Sequence, residues 1–175
     1  MAIVRSKRPV SRSRIAATAH SLLGASTLCA IATVTPNGEA HLNTAYFAWS
    51  HELQLVWLSD PRAKHSRNVR ANGSVSVAVF DSEQRWGGRD RGIQLFGRAW
   101  ELARSAEGDA ERLYGARFPA YRREALSAYR FYAFRPRRLK LFDESELGAG
   151  AFVTARLGRD RRLVWERTDV YRSAA

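Results

Sequence analysis

The spacing of apolar residues changes period along the chain, and the changes mark out its elements. Ile15, Ala19, Leu22 and Leu23 recur at helical spacing, behind Ser11 or Ser13 as a capping side chain. This predicts a helix to about Leu23, stopped at Gly24. From Leu28 to Thr35 the chain is β-rich and nearly all apolar. Pro36-Asn37-Gly38 follows as a turn, in which proline presets φ and Asn-Gly accepts positive φ. Glu39 to Trp49 then reads as the returning strand of a hairpin. Ser50-His51-Glu52 turns the chain into a third strand, Leu53 to Leu58.

Asp60-Pro61 has the form of a cap followed by proline at the first helical position, predicting a short helix from Arg62 to about Ala71 that Asn72-Gly73 stops. Ser74 to Phe80 is a fourth strand. Trp86-Gly87-Gly88 lies in a polar loop. Gly92 to Leu102 is a fifth strand, with Ile93, Leu95 and Phe96 contributing to the core. Helices are expected over Ser105 to Tyr114 and Pro119 to Ala128. A long strand, Tyr129 to Phe142, comes last, interrupted at Pro136, and Leu163-Val164-Trp165 adds a short edge strand. Six strands with hairpin connections predict a mainly β chain with peripheral helices, closed as an antiparallel barrel. Residues 1–12, with Arg5, Lys7, Arg8 and Pro9, read as a basic flexible tail, and 13–170 as one domain.

Composition narrows the function. Hydrophobic residues make up 45% and aromatic residues 11%, which predicts a packed body and excludes a disordered chain. A net charge of +12, mostly from arginine, attracts anions: a cofactor phosphate, an acidic substrate or nucleic acid. Cys29 is the single cysteine and reads as a small buried hydrophobe, in keeping with a reducing cytoplasm. No apolar run has the length of a secretory signal or a membrane span. Neither paired carboxylates, nor a nucleophile beside a base, nor a metal-ligand spacing is present.

Three segments carry candidate chemistry. In Trp57 to Arg70 a strand ends, a helix begins, and Lys64, Arg67 and Arg70 follow at i, i+3 and i+6 on one helix face. A phosphate there would meet free backbone N–H groups, the positive helix end and a cation; the alternative is a solvated basic face. In Ala40 to Phe47, Asn43 and Thr44 interrupt an apolar strand, where the edge of a flat heteroaromatic ring would satisfy them; a strand with one wet face gives the same alternation. In Arg89 to Ala99, Gly97 signals a bulge or a close backbone approach, and Gln94 could meet a ligand edge. Tyr46, Trp57 and Trp86 are candidate walls of a substrate pocket, with core packing as the alternative for each.

In this order the segments resemble the pyridoxamine 5'-phosphate oxidase-like superfamily of FMN-binding split barrels. The likeness runs over roughly residues 15–145: Ala32-Thr33-Val34 before the Pro-Asn-Gly turn, Asn43-Thr44-Ala45-Tyr46-Phe47, Leu58-Ser59 with Lys64 and Asn68-Val69-Arg70, Ile93 to Ala99, and Tyr114 with Arg117-Phe118-Pro119. It implies a six-stranded split barrel, a homodimer with two cofactors at its interface, FMN as cofactor and hydride exchange with a small organic substrate. Carried onto this chain, Ser59 and Lys64 would hold the phosphate with help from Arg67 or Arg70. Asn43 and Thr44 would lie along the isoalloxazine ring, approached by Gln94 and Arg91. Some relatives use a deazaflavin instead, and some bind haem, for which His41, His51 or His65 would be the axial ligand. A non-enzymatic flavin store and a nucleic-acid binder remain as alternatives. The chain departs from true pyridoxamine-phosphate oxidases at its end. Their Arg-x-His substrate motif has no counterpart in Val164 to Arg172, and all four histidines lie at or before position 65, so pyridoxamine phosphate is not the expected substrate.

Overall fold

In the computed structural model, which describes residues 2–172, the hairpin predicted around Pro36-Asn37-Gly38 is the start of the barrel. Strands β2 (Leu28–Val34) and β3 (Ala40–Trp49) pair antiparallel in register from Leu28↔Tyr46 to Val34↔Ala40. Thr35 N–H donates to Glu39 O at 2.8 Å across the turn, and Gly38 takes φ +85°, where a side chain would be strained. β3 pairs with β4 (Leu55–Ser59), and β4 pairs with the first part of β7 (Arg130–Asp143), from Leu55↔Phe134 to Ser59↔Arg130.

Two compact units are present. One comprises residues 27–77 and 96–136; the other comprises residues 2–26, 78–95 and 137–172. β5 (Ser74–Phe80), β6 (Arg91–Glu101) and β7 contribute residues to both. Pairing of β6 with β7 closes the order β7-β4-β3-β2-β5-β6 into a six-stranded antiparallel barrel, as the sequence predicts. In the first unit Phe47, Leu55, Trp57, Phe131, Tyr132 and Phe134 are fully buried, and α2 (Lys64–Ala71) and α3 (Gly108–Arg117) complete it. In the second unit α1 (Arg12–Gly24) is capped by Ser11, whose hydroxyl accepts from Arg14 N–H, and buries Ile15, Ala19, Leu22 and Leu23. That unit also holds β1 (Ala2–Ser6), the short helix α4 (Glu144–Leu147), β8 (Ala151–Leu157) and β9 (Leu163–Arg172). Cys29 is buried, and desolvation pushes its thiol up to about 12, so it is the inert hydrophobe expected.

Several expectations are corrected. Residues Ala2–Ser6, expected in a flexible tail, form β1 and pair with the end of β9 from Ala2↔Arg172 to Ser6↔Thr168; Met1 lies outside the described residues. The short edge strand at Leu163 is a ten-residue strand, and β8 precedes it, so β7 is not the last strand. Pro136 does not break β7: it falls between the rungs to β4, which end at Phe134, and those to β8, which begin at Arg138, so its missing N–H costs neither ladder a bond. Leu53 takes φ +61° and belongs to the turn before β4. Pro119 to Ala128 carries only one 3-10 turn, Glu124–Leu126. Phe96 is 40% exposed, because it alternates with buried Leu95 along β6.

Candidate functional site

The joint between β4 and α2 differs from its prediction in one informative respect. Asp60 does not cap the helix. Its Oδ1 accepts from Arg62 N–H at 2.8 Å and its carboxylate pairs with the Arg62 guanidinium at 2.9 Å, forming a turn over residues 60–63. The helix begins at Lys64, two residues later than predicted, with Ala63 at the N-cap and no side chain bonded to its N-terminal N–H groups. Its first turn contains no acidic residue. Lys64 is exposed there, and Arg67 lies on the same exposed face and donates to Arg62 O. An uncapped, positive helix end with a lysine on it has the electrostatics that favour an anion.

Behind this end lies a buried polar cluster. Ser59, the last residue of β4, places its Oγ 2.6 Å from His65 Nε2 and 3.2 Å from Ser66 Oγ. Ser66 also interacts with the Tyr132 hydroxyl, which donates to Glu101 Oε2 at 3.0 Å. Asn68 Nδ2 donates to Thr33 Oγ1 at 3.0 Å, tying α2 to β2. Ser59, His65, Ser66 and Asn68 are all buried, at 6%, 8%, 0% and 3% exposed. Burial holds the His65 imidazole below its ordinary value, and His41 on β3 adds like-charge repulsion. Burial also pushes Tyr132 up to about 12.

The three cations of the helix face are not equivalent. Arg70 is committed within the fold: it pairs with Glu101 Oε2 at 2.8 Å and donates to Pro61 O at 2.7 Å. Lys64 and Arg67 are the cations at the open end. Asn43 and Thr44 point to opposite faces of β3, as successive strand residues must. Asn43 opposes buried Ile31 and shares the face of His41 and Thr33, which α2 covers. Thr44 shares the other, exposed face with Leu42 and Tyr46. Trp57 is a core residue, 1% exposed and stacked on Tyr132 at 5.8 Å, and not a pocket wall. Tyr46 is 56% exposed and meets Phe118 edge-on at 5.7 Å.

Arg91, Gln94 and Trp86 belong to the other unit. Arg91 Nε lies 3.5 Å from Asp143 Oδ2 and its guanidinium donates to Ser21 Oγ at 3.3 Å, so it ties α1 to the end of β7. Gln94 is exposed on β6, and Trp86 is wholly exposed in its loop. Sequence reasoning missed the bond between Ser59 and His65. The signal was a serine ending a strand six residues before a histidine in a helix's first turn. Among the described residues no group of His, Cys, Asp and Glu could hold a metal ion, and no helix is long and apolar enough to cross a membrane.

Comparison with known proteins agrees with this architecture. No curated protein sequence matches the chain. Among solved structures it is similar to an FAD-binding protein from Mesorhizobium loti, at 19% identity and TM-score 0.58, over 79% of this chain and 95% of that one. It is similar to an F420 reductase at 24% identity and TM-score 0.55, over 69% and 94%. It is also similar to HutZ, the haem storage protein from Vibrio cholerae, at 19% identity and TM-score 0.61, over 71% and 92%. These likenesses establish the barrel and leave the cofactor open. The family model described as pyridoxamine 5'-phosphate oxidase matches residues 15–143, and the chain therefore belongs to the pyridoxamine 5'-phosphate oxidase family.

Proposed function

We propose that this protein is an FMN-dependent oxidoreductase that exchanges a hydride with a small organic substrate, and that it works as a homodimer. One observation carries the cofactor reading: the N-terminus of α2 is uncapped, free of acidic residues and flanked by exposed Lys64 and Arg67, with the Ser59 hydroxyl at the end of the adjoining strand. Backbone N–H groups, a helix dipole and two cations suit a phosphate dianion, so the residues fit the group. Lys64 and Arg67 would hold the phosphate by charge and Ser59 by its hydroxyl. Arg70, spent on Glu101, fixes the helix in place. Thr44, on the exposed face of β3, is suited to the edge of a flat ring, and Tyr46 beside it to a pocket wall. A bound flavin supplies the hydride chemistry; the chain supplies orientation and a positive field. His65 is a poor axial ligand for haem, since its Nε2 is taken by Ser59 at 2.6 Å.

The absorption spectrum of the purified protein, with the mass of the ligand released on mild denaturation, tests this directly. A flavin spectrum and the mass of FMN are expected; a deazaflavin or a Soret band overturns FMN, and a colourless protein that takes up no flavin overturns the whole reading. Lys64→Ala should weaken FMN about ten- to a hundredfold, the worth of one charge-assisted contact to a phosphate. Riboflavin, which has no phosphate, should bind both proteins equally. An FMN affinity unchanged by Lys64→Ala, measured by fluorescence titration, removes Lys64 from the site.

A further inference from the structure

The hydrogens of the buried cluster can be counted. Tyr132 gives its proton to Glu101, which can only accept. Ser66 has one proton for two neighbours, Ser59 and Tyr132. Ser59 accepts from Ser66 and has one proton for His65, the Asp60 carbonyl at 3.5 Å or a ligand.

Three arrangements follow. If His65 Nε2 is bare, Ser59 must donate to it, and Ser59 turns lone pairs towards any anion. Ser66 donates to Ser59 at 3.2 Å; were it to turn that proton to Tyr132, Ser59 would lose this donor and its own proton would be drawn inward. Only when Nε2 carries a hydrogen and Ser66 donates to Ser59 is the Ser59 proton released from the cluster, to turn from the Asp60 carbonyl at 3.5 Å to a bound anion. A protonated imidazole guarantees the first of these conditions, and a nearby dianion favours the protonated ring.

We propose that His65 is a positioning residue that couples phosphate binding at the start of α2 to uptake of a proton by its ring: the bound anion draws a proton onto His65, and the protonated ring turns the Ser59 hydroxyl towards the anion. This rests on the phosphate reading above and deepens it.

The surroundings set the direction of the coupling. On its own helix His65 has Lys64 and Arg67; from β3 it faces His41; from β4 it meets neutral Ser59; β2 brings neutral Thr33 to the same helix. Two carboxylates lie near this cluster, each paired with an arginine: Asp60, next to Ser59, with Arg62, and Glu101, reached through Ser66 and Tyr132, with Arg70. With those carboxylates spent on arginines, His41 adding like-charge repulsion and the ring desolvated, the free protein favours the neutral imidazole. Its lowered folded-state value contributes stability above about pH 6.5 that is lost as pH falls. A bound anion should reverse that sign by raising the ring's value.

Histidine ring resonances, followed by NMR from pH 5 to 8.5 with no ligand, inorganic phosphate, FMN or riboflavin, test the coupling in the intact protein. His65 is identified by its absence in His65→Gln. Its midpoint should rise with phosphate and with FMN and stay in place with riboflavin. FMN affinity of the wild type should gain on His65→Gln as pH falls from 8 to 6, up to about tenfold per pH unit. The glutamine amide keeps an N–H near the Nε2 position without titrating, and the ratio of the two proteins cancels the ligand's own ionisation. Flavin binding with an unmoved His65, or parallel pH profiles for the two proteins, overturns the coupling and leaves the cofactor reading intact. No flavin binding, with a phosphate-induced rise at His65, overturns the flavin and upholds the proton-linked anion site. Neither binding nor a rise overturns both.

Discussion

Gly97→Ala should unfold or severely destabilise this protein, by about 3 kcal/mol or more. A Cβ built on Gly97 falls 2.1 Å from the carbonyl oxygen of Arg135, 2.9 Å from its carbonyl carbon and 2.8 Å from Pro136 Cα. All three obstacles are backbone, so no rotamer change relieves the clash. Relief needs β6 and β7 to separate where their pairing closes the barrel, and Pro136 stiffens β7 at that point. For a chain of this size the loss corresponds to a fall in Tm of roughly 6–12 °C by calorimetry or circular dichroism. Gly108→Ala is the matched control. A Cβ there meets nothing within 4 Å, and Gly108 opens α3 in a conformation open to alanine, so the change should be neutral or slightly stabilising. A Gly97→Ala protein as stable as the wild type would mean that the strands are not in contact at Arg135.

The same glycine shows what a single sequence can reveal. Gly97 reads as a close backbone approach because an apolar strand seldom spends a position on a residue without a side chain, and the chain passing it is Arg135-Pro136. The turn at Pro36-Asn37-Gly38, the Ser11 cap and β5 were equally legible, since each is decided by residues within a few positions. The misses share a different cause. β1 buries no face of its own, and the end of β9, Thr168 to Arg172, mixes polar, charged and apolar residues without alternation; each is a strand because the other pairs with it, across 162 to 170 positions of sequence. Basic composition alone made the first of them a tail.

The start of α2 was misread for a local reason. Asp60-Pro61 satisfies the rule for a capped helix, but the Asp60 carboxylate is also in reach of the Arg62 side chain, and that pairing gives a turn. The displaced helix is left with an open end at Lys64, which makes the candidate site more anion-ready than the capped helix would have been. The three-cation face was legible from spacing, whereas the diversion of Arg70 to Glu101 depends on β6 and could not be read locally. Likewise Asn43 and Thr44 look like one polar pair in sequence, but the two-residue period of a strand sends them to opposite faces.

Leu42→Glu should dissolve the proposed dimer while leaving each subunit folded. Leu28, Leu42 and Tyr46 are 41%, 66% and 56% exposed. In the β2–β3 register Leu28 opposes Tyr46, Ala30 opposes Thr44 and Ala32 opposes Leu42, so these six side chains form one continuous and largely apolar surface. An apolar hairpin face of this kind is suited to a second copy of itself, and Thr44, the residue proposed at the ring edge, lies in its middle. A two-fold interface repeats every substitution, so Leu42→Glu buries two carboxylates without partners, each at a cost of several kcal/mol. The dimer dissociation constant should rise by more than a hundredfold in sedimentation equilibrium. The isolated subunit loses little, because Leu42 is mostly exposed within it. Ser82→Glu, the same charge in an exposed turn of the other unit, should leave assembly untouched. If the cofactor sits at this interface, FMN retention must fall together with the dimer in Leu42→Glu, although the residue lies outside the phosphate site. A monomeric wild type, or a Leu42→Glu protein that remains dimeric, assigns this face no role in assembly; a monomeric variant that still retains FMN places the whole cofactor site within one subunit.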